Sequence, residues 1–342
     1  MDLIFDKIIG GILMDDMLVE YFSGIEFGKL QQFGVMGVLP VFTKKAGNIE
    51  YLTLKEAMDK DILEITELDD SGVVPELRVR NHAEIPVLIL DGEELKGAKQ
   101  NRIVNISILL KENFETIIPV SCVEQGRWSY TSRNFKDSDR IASYQLRNVK
   151  SASVKRSIEN SGEYTSDQGA VWDEVHKLQD KMHVRSPTSA MGDVYDDKSN
   201  DLDDYIKAFE IVEGQNGLLV FVDNEIVGLD VVSSESAYKY LHKKLIKSYA
   251  LDSMVKKDNK TTNSDINIDL AHKFLKEILK SEESKNKSVG YGFDYRFASN
   301  SYIGSSLVCK DDVIHASFFK NLEDEKIGGM ARYSTRVNIR QY

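Results

Sequence analysis

The sequence predicts an α+β protein with an antiparallel, β-rich N-terminal half and a C-terminal half that mixes helices and hairpins. Apolar runs before residue 124 are short, and their connections are too short for the crossovers that parallel strands need. Longer apolar stripes at helical spacing begin only after residue 140. Two apolar runs, 218–222 and 227–232, flank a turn segment at 223–226 and predict a β-hairpin in the second half.

The length of 342 residues exceeds what one hydrophobic core usually serves, so we expect two domains or two closely packed subdomains. Changes in composition predict a β-rich domain over residues 1–128 that carries a charged hairpin, and a loop and helix connection over 129–200. An α+β domain follows over 201–342, and it can also pack with the first domain as one unit. Hydrophobic content of 42% with 29% charged residues is typical of a globular protein, which argues against a disordered chain.

In the N-terminal half, alternating or continuous apolar residues predict strands, and one capping pattern predicts a helix. Thr53 and Glu56 have the spacing of a capping box, so a short helix is expected over Leu54–Asp59. The last three predicted strands should form an antiparallel meander, with residues 111–115 as a hairpin loop. The predicted strands are 34–42, 62–68, 75–79, 85–90, 102–110 and 116–123.

In the C-terminal half, polar stretches predict loops between amphipathic helices. Residues 129–166 have few apolar anchors, so we expect a surface loop and one helix there. Residues 185–197 are expected to be a loop, and residues 256–265 a polar linker. The predicted helices are 141–157, 171–182, 201–213, 235–255 and 270–281, and the predicted strands beyond the hairpin are 289–298, 305–309 and 313–319.

The net charge of −11 argues against broad nucleic-acid binding, which depends on neutralising phosphates with Lys and Arg. Arg332, Arg336 and Arg340 make the last residues basic, and we interpret them as a solvated tail. The two cysteines, Cys122 and Cys309, indicate no disulfide framework and favour a reducing compartment. The sequence shows no signal-peptide pattern and no apolar stretch of roughly 20 residues. We therefore expect a cytoplasmic protein that does not enter a membrane.

The candidate site begins in residues 91–102 (DGEELKGAKQNR), where charged and amide side chains lie between two apolar runs. Charges joined to buried strands need partners or a ligand. The carboxylates are candidate acid/base groups or oxygen ligands for Mg²⁺ or Mn²⁺, although the sequence assigns no metal. The basic and amide residues are candidates to bind and orient phosphate or carboxylate groups. The candidate catalytic residues are Asp91, Glu93 and Glu94, and the candidate ligand-binding residues are Lys96, Lys99, Gln100, Asn101 and Arg102.

Residues 122–128 (CVEQGRW) end the third strand of the predicted meander, where they can lie near the charged segment. Glu124 and Arg127 can then join the same cluster, and Trp128 can stack on a base or sugar. The alternative is that Trp128 covers the edge of a core while Arg127 pairs with Glu124. For Cys122, an inert buried thiol is favoured over a nucleophile, because no histidine follows at suggestive spacing.

Several familiar enzyme classes lack their sequence signatures. The histidines show neither the HExxH nor the CxxC-type arrangement of a zinc site. No GxGxxG follows a strand, and there is no GxxxxGK[ST] and no GxSxG. Two loop-type segments, 166–172 (SDQGAVW) and 185–189 (RSPTS), can contact phosphate or ribose. Helix capping by Asp167, Ser186 and Thr188 is the alternative for these segments.

The motifs DGEELKGAKQNR, IPVSCVEQGRW, SDQGAVW, RSPTS and LIKSYALD together identify a resemblance that spans about residues 34–252. In them the chain resembles the ARG-and-rhodanese-phosphatase-superfamily-associated protein domain family of prokaryotes, where ARG stands for ADP-ribosylglycohydrolase. The family is named for neighbouring genes, so the resemblance implies a setting in NAD and ADP-ribose metabolism. It carries over the following motif residues: Asp91, Glu93, Glu94, Lys99, Gln100, Asn101, Arg102, Glu124, Arg127 and Trp128.

The leading hypothesis is that the charged hairpin binds or processes a nucleotide-derived ligand such as ADP-ribose. If the protein is an enzyme, it is expected to be a hydrolase acting on an ADP-ribose-like or NAD-derived substrate. The alternative is a non-catalytic module that binds a ligand or a protein partner in a stress or phage-defence system. A third hypothesis is a structural protein whose charged cluster is an internal salt-bridge network. The sequence leaves the cofactor and the oligomeric state open.

Overall fold

The computed structural model describes residues 14–44, 47–69, 71–256 and 268–321. None of the helices in these ranges is long and apolar enough to cross a membrane. The helices of the described residues are α1 (Asp16–Ser23), α2 (Leu54–Asp59), α3 (Tyr144–Ser161), α4 (Gln168–Met182), α5 (Met191–Asp197), α6 (Ser199–Ala208), α7 (Glu235–Lys256) and α8 (Asp269–Ile278).

The strands form three mostly antiparallel sheets, which confirms the predicted α+β class. The strands are β1 (Ile25–Phe27), β2 (Gln31–Phe33), β3 (Met36–Thr43), β4 (Leu52–Thr53), β5 (Leu63–Thr66), β6 (Glu76–Asn81), β7 (Val87–Ile89), β8 (Glu93–Gly97), β9 (Arg102–Val104), β10 (Ile108–Leu110), β11 (Phe114–Cys122), β12 (Phe135–Ile141), β13 (Gly217–Val222), β14 (Glu225–Val232), β15 (Glu282–Lys287), β16 (Phe293–Ala298), β17 (Tyr302–Cys309) and β18 (Asp312–Lys320).

The largest sheet has nine strands and is covered by helices on both faces. Its order is β1-β3-β13-β14-β18-β17-β16-β15, with β2 also paired to β3. Alternate residues of β3 enter two different cores: Val38 packs with α3 to α7, and Leu39 packs with α1 and α8. Burial on both faces explains why β3 is a nearly continuous apolar run rather than an alternating one. The predicted hairpin is confirmed as β13 and β14.

The two smaller sheets carry the charged hairpin and enclose the third core with α2. One has the order β12-β8-β9-β11-β6-β5 and the other β10-β7-β4. Strands β8 and β9 pair antiparallel, so the charged segment forms a hairpin. Strand β8 was not predicted, since it lies between the predicted strands 85–90 and 102–110. The capping box of α2 is also present, since Glu56 N donates to Thr53 Oγ1 at 3.3 Å and Thr53 N donates to Glu56 Oε2 at 2.9 Å.

The predicted meander is present only in part: both antiparallel pairings occur, but the run 102–110 is two strands that belong to different sheets. Strand β9 pairs with β11, whereas β10 leaves this sheet and pairs with β7. The break lies at polar side chains that have partners of their own. Asn105 donates to Tyr164 O at 3.0 Å, and Ser107 Oγ accepts from Asp91 N at 2.9 Å. Residues 111–115 therefore do not close a β10–β11 hairpin.

Strand β12 was not predicted, because only Phe135 and Ile141, its first and last residues, are buried. Its polar interior indicates a loop by sequence, yet it pairs with β8. Strand β15 and helix α5 were also missed, the latter inside the predicted loop 185–197. Most of the predicted linker 256–265 and the basic tail lie outside the described residues. The division into domains stays a prediction.

A buried charge network joins the smaller sheets to the nine-stranded sheet. Arg147 of α3 donates to both carboxylate oxygens of Asp230 in β14, at 2.9 and 2.6 Å. His315 of β18 lies 3.3 Å from Asp230 Oδ1 and 2.8 Å from Ser107 Oγ. Burial alone would raise the pKa of Asp230, but Arg147 outweighs burial and the pKa falls to about 2. Lys150 pairs with Asp91 in the same interior, and Arg296 pairs with Asp294.

Replacing Arg147 with Met should destabilise the protein strongly, because the Asp230 carboxylate would stay buried without its cation. Breaking a buried pair in this way costs about 3–5 kcal/mol. The control is Lys207→Met at an exposed pair with Asp204, which should cost less than about 1 kcal/mol. Urea unfolding of both variants measures the difference. Equal losses would contradict a stabilising role of the buried pair.

Asp252 of α7 should make stability fall as pH rises towards neutrality. Its carboxylate accepts from Gln145 N at 2.9 Å, near the start of α3, and burial raises its pKa to about 7. Since the unfolded pKa is about 3.9, this contribution is complete below pH 4 and is lost as pH rises through about 7. Asp252→Asn keeps a neutral acceptor. Its stability relative to wild type should therefore increase between pH 4 and 7 in urea unfolding, whereas parallel curves would contradict the assignment.

Candidate functional site

The turn of the β8–β9 hairpin is fastened to the segment after β11, and Arg127 pairs with Glu124 as the alternative to ligand binding predicted. Arg127 donates to Ala98 O at 2.7 Å and to Asn101 Oδ1 at 3.2 Å. It also donates to Glu124 through Nε and Nη2, at 2.8 and 2.6 Å. Glu124 in turn accepts from Asn101 N at 3.0 Å and from Thr188 Oγ1 at 3.0 Å. The turn is thus fixed by hydrogen bonds that Arg127, Glu124 and Asn101 make with one another.

Gly97 is required at the start of this turn. Its φ of +127° lies in a region that side chains rarely adopt. A Cβ there would also lie 2.5 Å from Ser132 Oγ and 3.1 Å from Asn134 O. The hairpin turn and the segment after Trp128 therefore pack backbone against backbone.

Asp91 and Glu93, two of the three predicted catalytic carboxylates, are each bound by a buried lysine. Lys150 of α3 pairs with Asp91 and donates to Asn105 O at 2.7 Å. Lys244 of α7 lies 2.7 Å from Glu93 Oε1. These pairs anchor the base of the hairpin to two helices. A catalytic role for either carboxylate stays a prediction.

Glu94, the third carboxylate, is buried without such a partner. Neither carboxylate oxygen has a hydrogen-bond partner among the described residues, and Arg140 Nη1 is 3.8 Å away. Burial raises the pKa of Glu94, although Arg140 opposes this. Glu94 lies opposite an irregularity between Asp137 and Ile141 of β12, a type of bulge that is common beside active sites. The side chain has the character of a proton donor or acceptor held away from water.

Arg102 differs from every other deeply buried cation in the described residues. Five Lys or Arg side chains there are at most 2% exposed, and the other four each pair with a carboxylate. Arg102 donates through Nη1 to Gln100 Oε1 at 3.2 Å, but Nε and Nη2 have no acceptor among the described residues. Burial lowers the pKa of Arg102. A buried guanidinium with one open edge is suited to binding an anion.

Cys122 interacts electrostatically with Arg102, and it is contacted by Gln168 and Trp172, which were not among the predicted site residues. Gln168 donates to Cys122 O and accepts from Cys122 N, both at 2.8 Å. The Trp172 indole N–H faces the Cys122 sulfur and has no oxygen acceptor among the described residues. Burial raises the pKa of the Cys122 thiol, which fits the predicted inert cysteine. The SDQGAVW motif was the available signal for Gln168 and Trp172.

The capping alternative for the two loop motifs is confirmed at Asp167. Its carboxylate accepts from Ala170 N at 3.1 Å at the start of α4. Ser186 Oγ accepts from Ala190 N at 2.8 Å beside α5. Thr188 instead contacts the turn through Glu124.

An open groove of about 690 Å³ lies beside the hairpin turn. Lys99 Nζ is 5.2 Å from the centre of the Trp128 ring and 5.1 Å from that of Tyr130. Both rings are about half exposed, at 48% and 49%. Glu67 contributes to the groove and accepts from Lys99 N at 3.3 Å. The groove is lined by Glu64, Thr66, Glu67, Leu68, Asp69, Arg78, Arg80, Tyr130, Thr131, Ser132 and Arg133.

The described residues contain no group of three or more His, Cys, Asp or Glu side chains that could hold a metal ion. The site therefore combines four features. The hairpin turn is held by Arg127, Arg102 has two nitrogens without an acceptor among the described residues, and Glu94 is buried. Trp128 and Tyr130 are half exposed near the groove.

Comparison with known proteins yields one match. No curated protein and no solved structure is significantly similar to the chain. The family model described as "ARG and Rhodanese-Phosphatase-superfamily-associated Protein domain" matches residues 24–319, which include the whole site. The chain therefore belongs to the ARG and rhodanese-phosphatase-superfamily-associated protein domain family.

Proposed function

We propose that the protein binds a nucleotide-derived ligand of the ADP-ribose type in the groove beside the hairpin turn. The observation that carries the proposal is the pair of half-exposed rings, Trp128 and Tyr130, which lie 5.2 and 5.1 Å from Lys99 Nζ, with Tyr130 in the wall of the groove. An aromatic face with a neighbouring cation suits a base next to a phosphate. The family name supports the link to ADP-ribose chemistry. The negative net charge makes a small ligand a better candidate than long nucleic acid.

Phosphate recognition is assigned to the basic residues of the site that keep donors available. Arg127 is occupied by Glu124 and the turn, so in this proposal it supports the site. Arg102 keeps its Nε and Nη2, and Arg133 stands exposed on the groove. Arg78 and Arg80 pair with Glu115 but still line the groove. A sugar phosphate in the groove would then meet Arg78, Arg80 and Arg133 at its wall. Arg102 is fully buried beside Trp128, so the phosphate would reach it only if that ring moved.

In the catalytic form of the proposal, Glu94 is the acid or base of a hydrolase. Its raised pKa and lack of hydrogen-bond partners suit a carboxyl group that gives or takes a proton in the reaction. Asp91 and Glu93 then hold the hairpin through their lysines. The hydrolase would act on an ADP-ribose-like or NAD-derived substrate in the cytoplasm.

The second candidate is a non-catalytic module that binds the same ligand, or a protein partner, in a stress or phage-defence system. The observation that favours it is the occlusion of all three hairpin carboxylates, which are at most 2% exposed. A ligand in the groove would need a conformational change to reach them. Binding without turnover distinguishes this candidate from the hydrolase.

Trp128→Ala should weaken binding of ADP-ribose at least about fivefold, since stacking on one base contributes about 1–3 kcal/mol. The matched control is Phe114→Ala at the opposite end of β11. There Lys111 Nζ lies 5.5 Å from the Phe114 ring and 5.4 Å from Tyr291, a similar arrangement away from the groove. Isothermal titration calorimetry should show unchanged affinity in the control. Equal affinity of both variants and wild type would contradict the proposed site.

Glu94→Gln should abolish turnover and preserve ADP-ribose binding if the protein is a hydrolase. The substitution conserves shape, and neither carboxylate oxygen has a hydrogen bond to lose. Chromatography of ADP-ribose and NAD after incubation measures turnover, and calorimetry measures binding. Turnover equal to that of wild type would remove Glu94 from the mechanism. Binding without turnover in wild type would favour the non-catalytic module.

A further inference from the structure

We propose that Arg102 and Glu67 form a recognition pair for a ribose phosphate, with the phosphate on Arg102 and a ribose hydroxyl on Glu67. This inference rests on the proposed function, because it assigns one part of the nucleotide-derived ligand to two named side chains. Glu67 was indicated by no sequence motif. In this assignment the sugar phosphate and the base are bound by different residues of the site.

The open edge of Arg102 is the edge that other arginines of this protein use to bind carboxylates. Arg127 uses Nε and Nη2 to bind Glu124, at 2.8 and 2.6 Å. Arg296 uses the same two nitrogens to bind Asp294, at 2.5 and 2.9 Å. In Arg102 these two nitrogens have no acceptor among the described residues. The two nitrogens therefore match two oxygens of a phosphate, bound as a bidentate pair. Arg102 is fully buried, so the phosphate reaches this edge only when the neighbouring Trp128 ring, 5.8 Å from the guanidinium carbon, moves aside.

Glu67 supplies the complementary acceptor. Its Oε1 accepts from Lys99 N at 3.3 Å, whereas its Oε2 has no donor among the described residues although the side chain is only 6% exposed. Glu67 acts electrostatically on Arg102 but lies beyond the 4.0 Å of an ion pair. A carboxylate oxygen beside a phosphate site is repulsive unless a donor lies between them. A ribose hydroxyl provides such a donor, as in dinucleotide sites where an acidic residue binds the ribose.

The chemistry of this pair excludes simpler ligands. Inorganic phosphate satisfies Arg102, but it can donate to Glu67 only through its own P–OH group, which brings the phosphate charge against the carboxylate. Free ribose offers hydroxyls to Glu67 but leaves Arg102 without an anion. A ribose phosphate satisfies both, and in ADP-ribose the attached adenosine extends towards the rings of the groove.

One of the two tryptophans of the chain lies beside Arg102 and the other beside its neighbour Cys122, which gives the site an optical signal. The Arg102 guanidinium carbon lies 5.8 Å from the centre of the Trp128 ring. Trp172 faces Cys122, whose sulfur interacts electrostatically with Arg102. Because no other tryptophan exists, a change of intrinsic fluorescence on ligand addition reports this region alone.

The test is a fluorescence titration with ribose 5-phosphate, ribose, inorganic phosphate and ADP-ribose. Wild type should bind ribose 5-phosphate more tightly than either fragment. Arg102→Met should weaken this binding at least about tenfold and remove the preference over ribose, because a charge-assisted pair is lost. Glu67→Gln should remove the preference over inorganic phosphate. The control Lys207→Met removes one exposed positive charge elsewhere and should leave all affinities unchanged.

Arg102→Met should melt at or above the wild-type temperature, since no carboxylate loses its partner. Arg102→Lys is the second variant, as it keeps the charge but lacks the two-nitrogen edge, and it should also lose the preference over ribose. If both Arg102 variants and Glu67→Gln bind ADP-ribose like wild type, the recognition pair is wrong and the proposed function stands. If ribose 5-phosphate behaves as predicted but ADP-ribose does not bind, the proposed function fails and the pair stands. The inference is overturned if ribose 5-phosphate does not bind and the double variant Arg102→Met/Glu67→Gln is more stable than wild type. Arg102 and Glu67 would then be two buried charges bridged by water, without a ligand.

Discussion

The charge balance of the interior is the constraint on which the rest of this structure depends. Asp230, held by Arg147, His315 and Tyr249, connects α3, α7, β14 and β18 at one buried carboxylate. The same interior holds Lys150 against Asp91 at the base of the hairpin. Such pairs are not strong sources of stability, but breaking one is costly. They therefore fix where β8 and β9 lie relative to the nine-stranded sheet.

Against this regular pairing, Glu94 and Arg102 are exceptions, and both belong to the same hairpin. One is a buried carboxyl without hydrogen bonds, and the other is a buried guanidinium with an open edge. Buried polar groups without partners lower the stability of the fold. Because the other deeply buried cations are paired, we interpret the retention of Glu94 and Arg102 as functional. Recognition of a charged ligand is that function in our account. Arg127 keeps the turn in place, while Glu94 has only Arg140 at 3.8 Å and Arg102 has no carboxylate partner among the described residues.

The sequence predicted correctly those elements whose structure is determined by residues close together in the chain. The α2 capping box and the β13–β14 hairpin are local features, and both are present. The meander is present only in part because the exit of β10 to β7 depends on where Asn105 and Ser107 find partners, which no local pattern records. At the site, motif density indicated the hairpin and the segment after β11. Which charges are paired could not be predicted. Asp91 is paired because Lys150 of α3, distant in sequence, reaches it, whereas Arg102 has no such partner among the described residues.

A crystal structure of the protein grown with ADP-ribose tests the central claim most directly. Our account predicts a phosphate oxygen within about 3 Å of both Nε and Nη2 of Arg102. It also predicts a ribose hydroxyl on Glu67 and the adenine on the rings at the groove. A ligand bound elsewhere, with Arg102 hydrogen-bonded only to water or protein, would contradict the account.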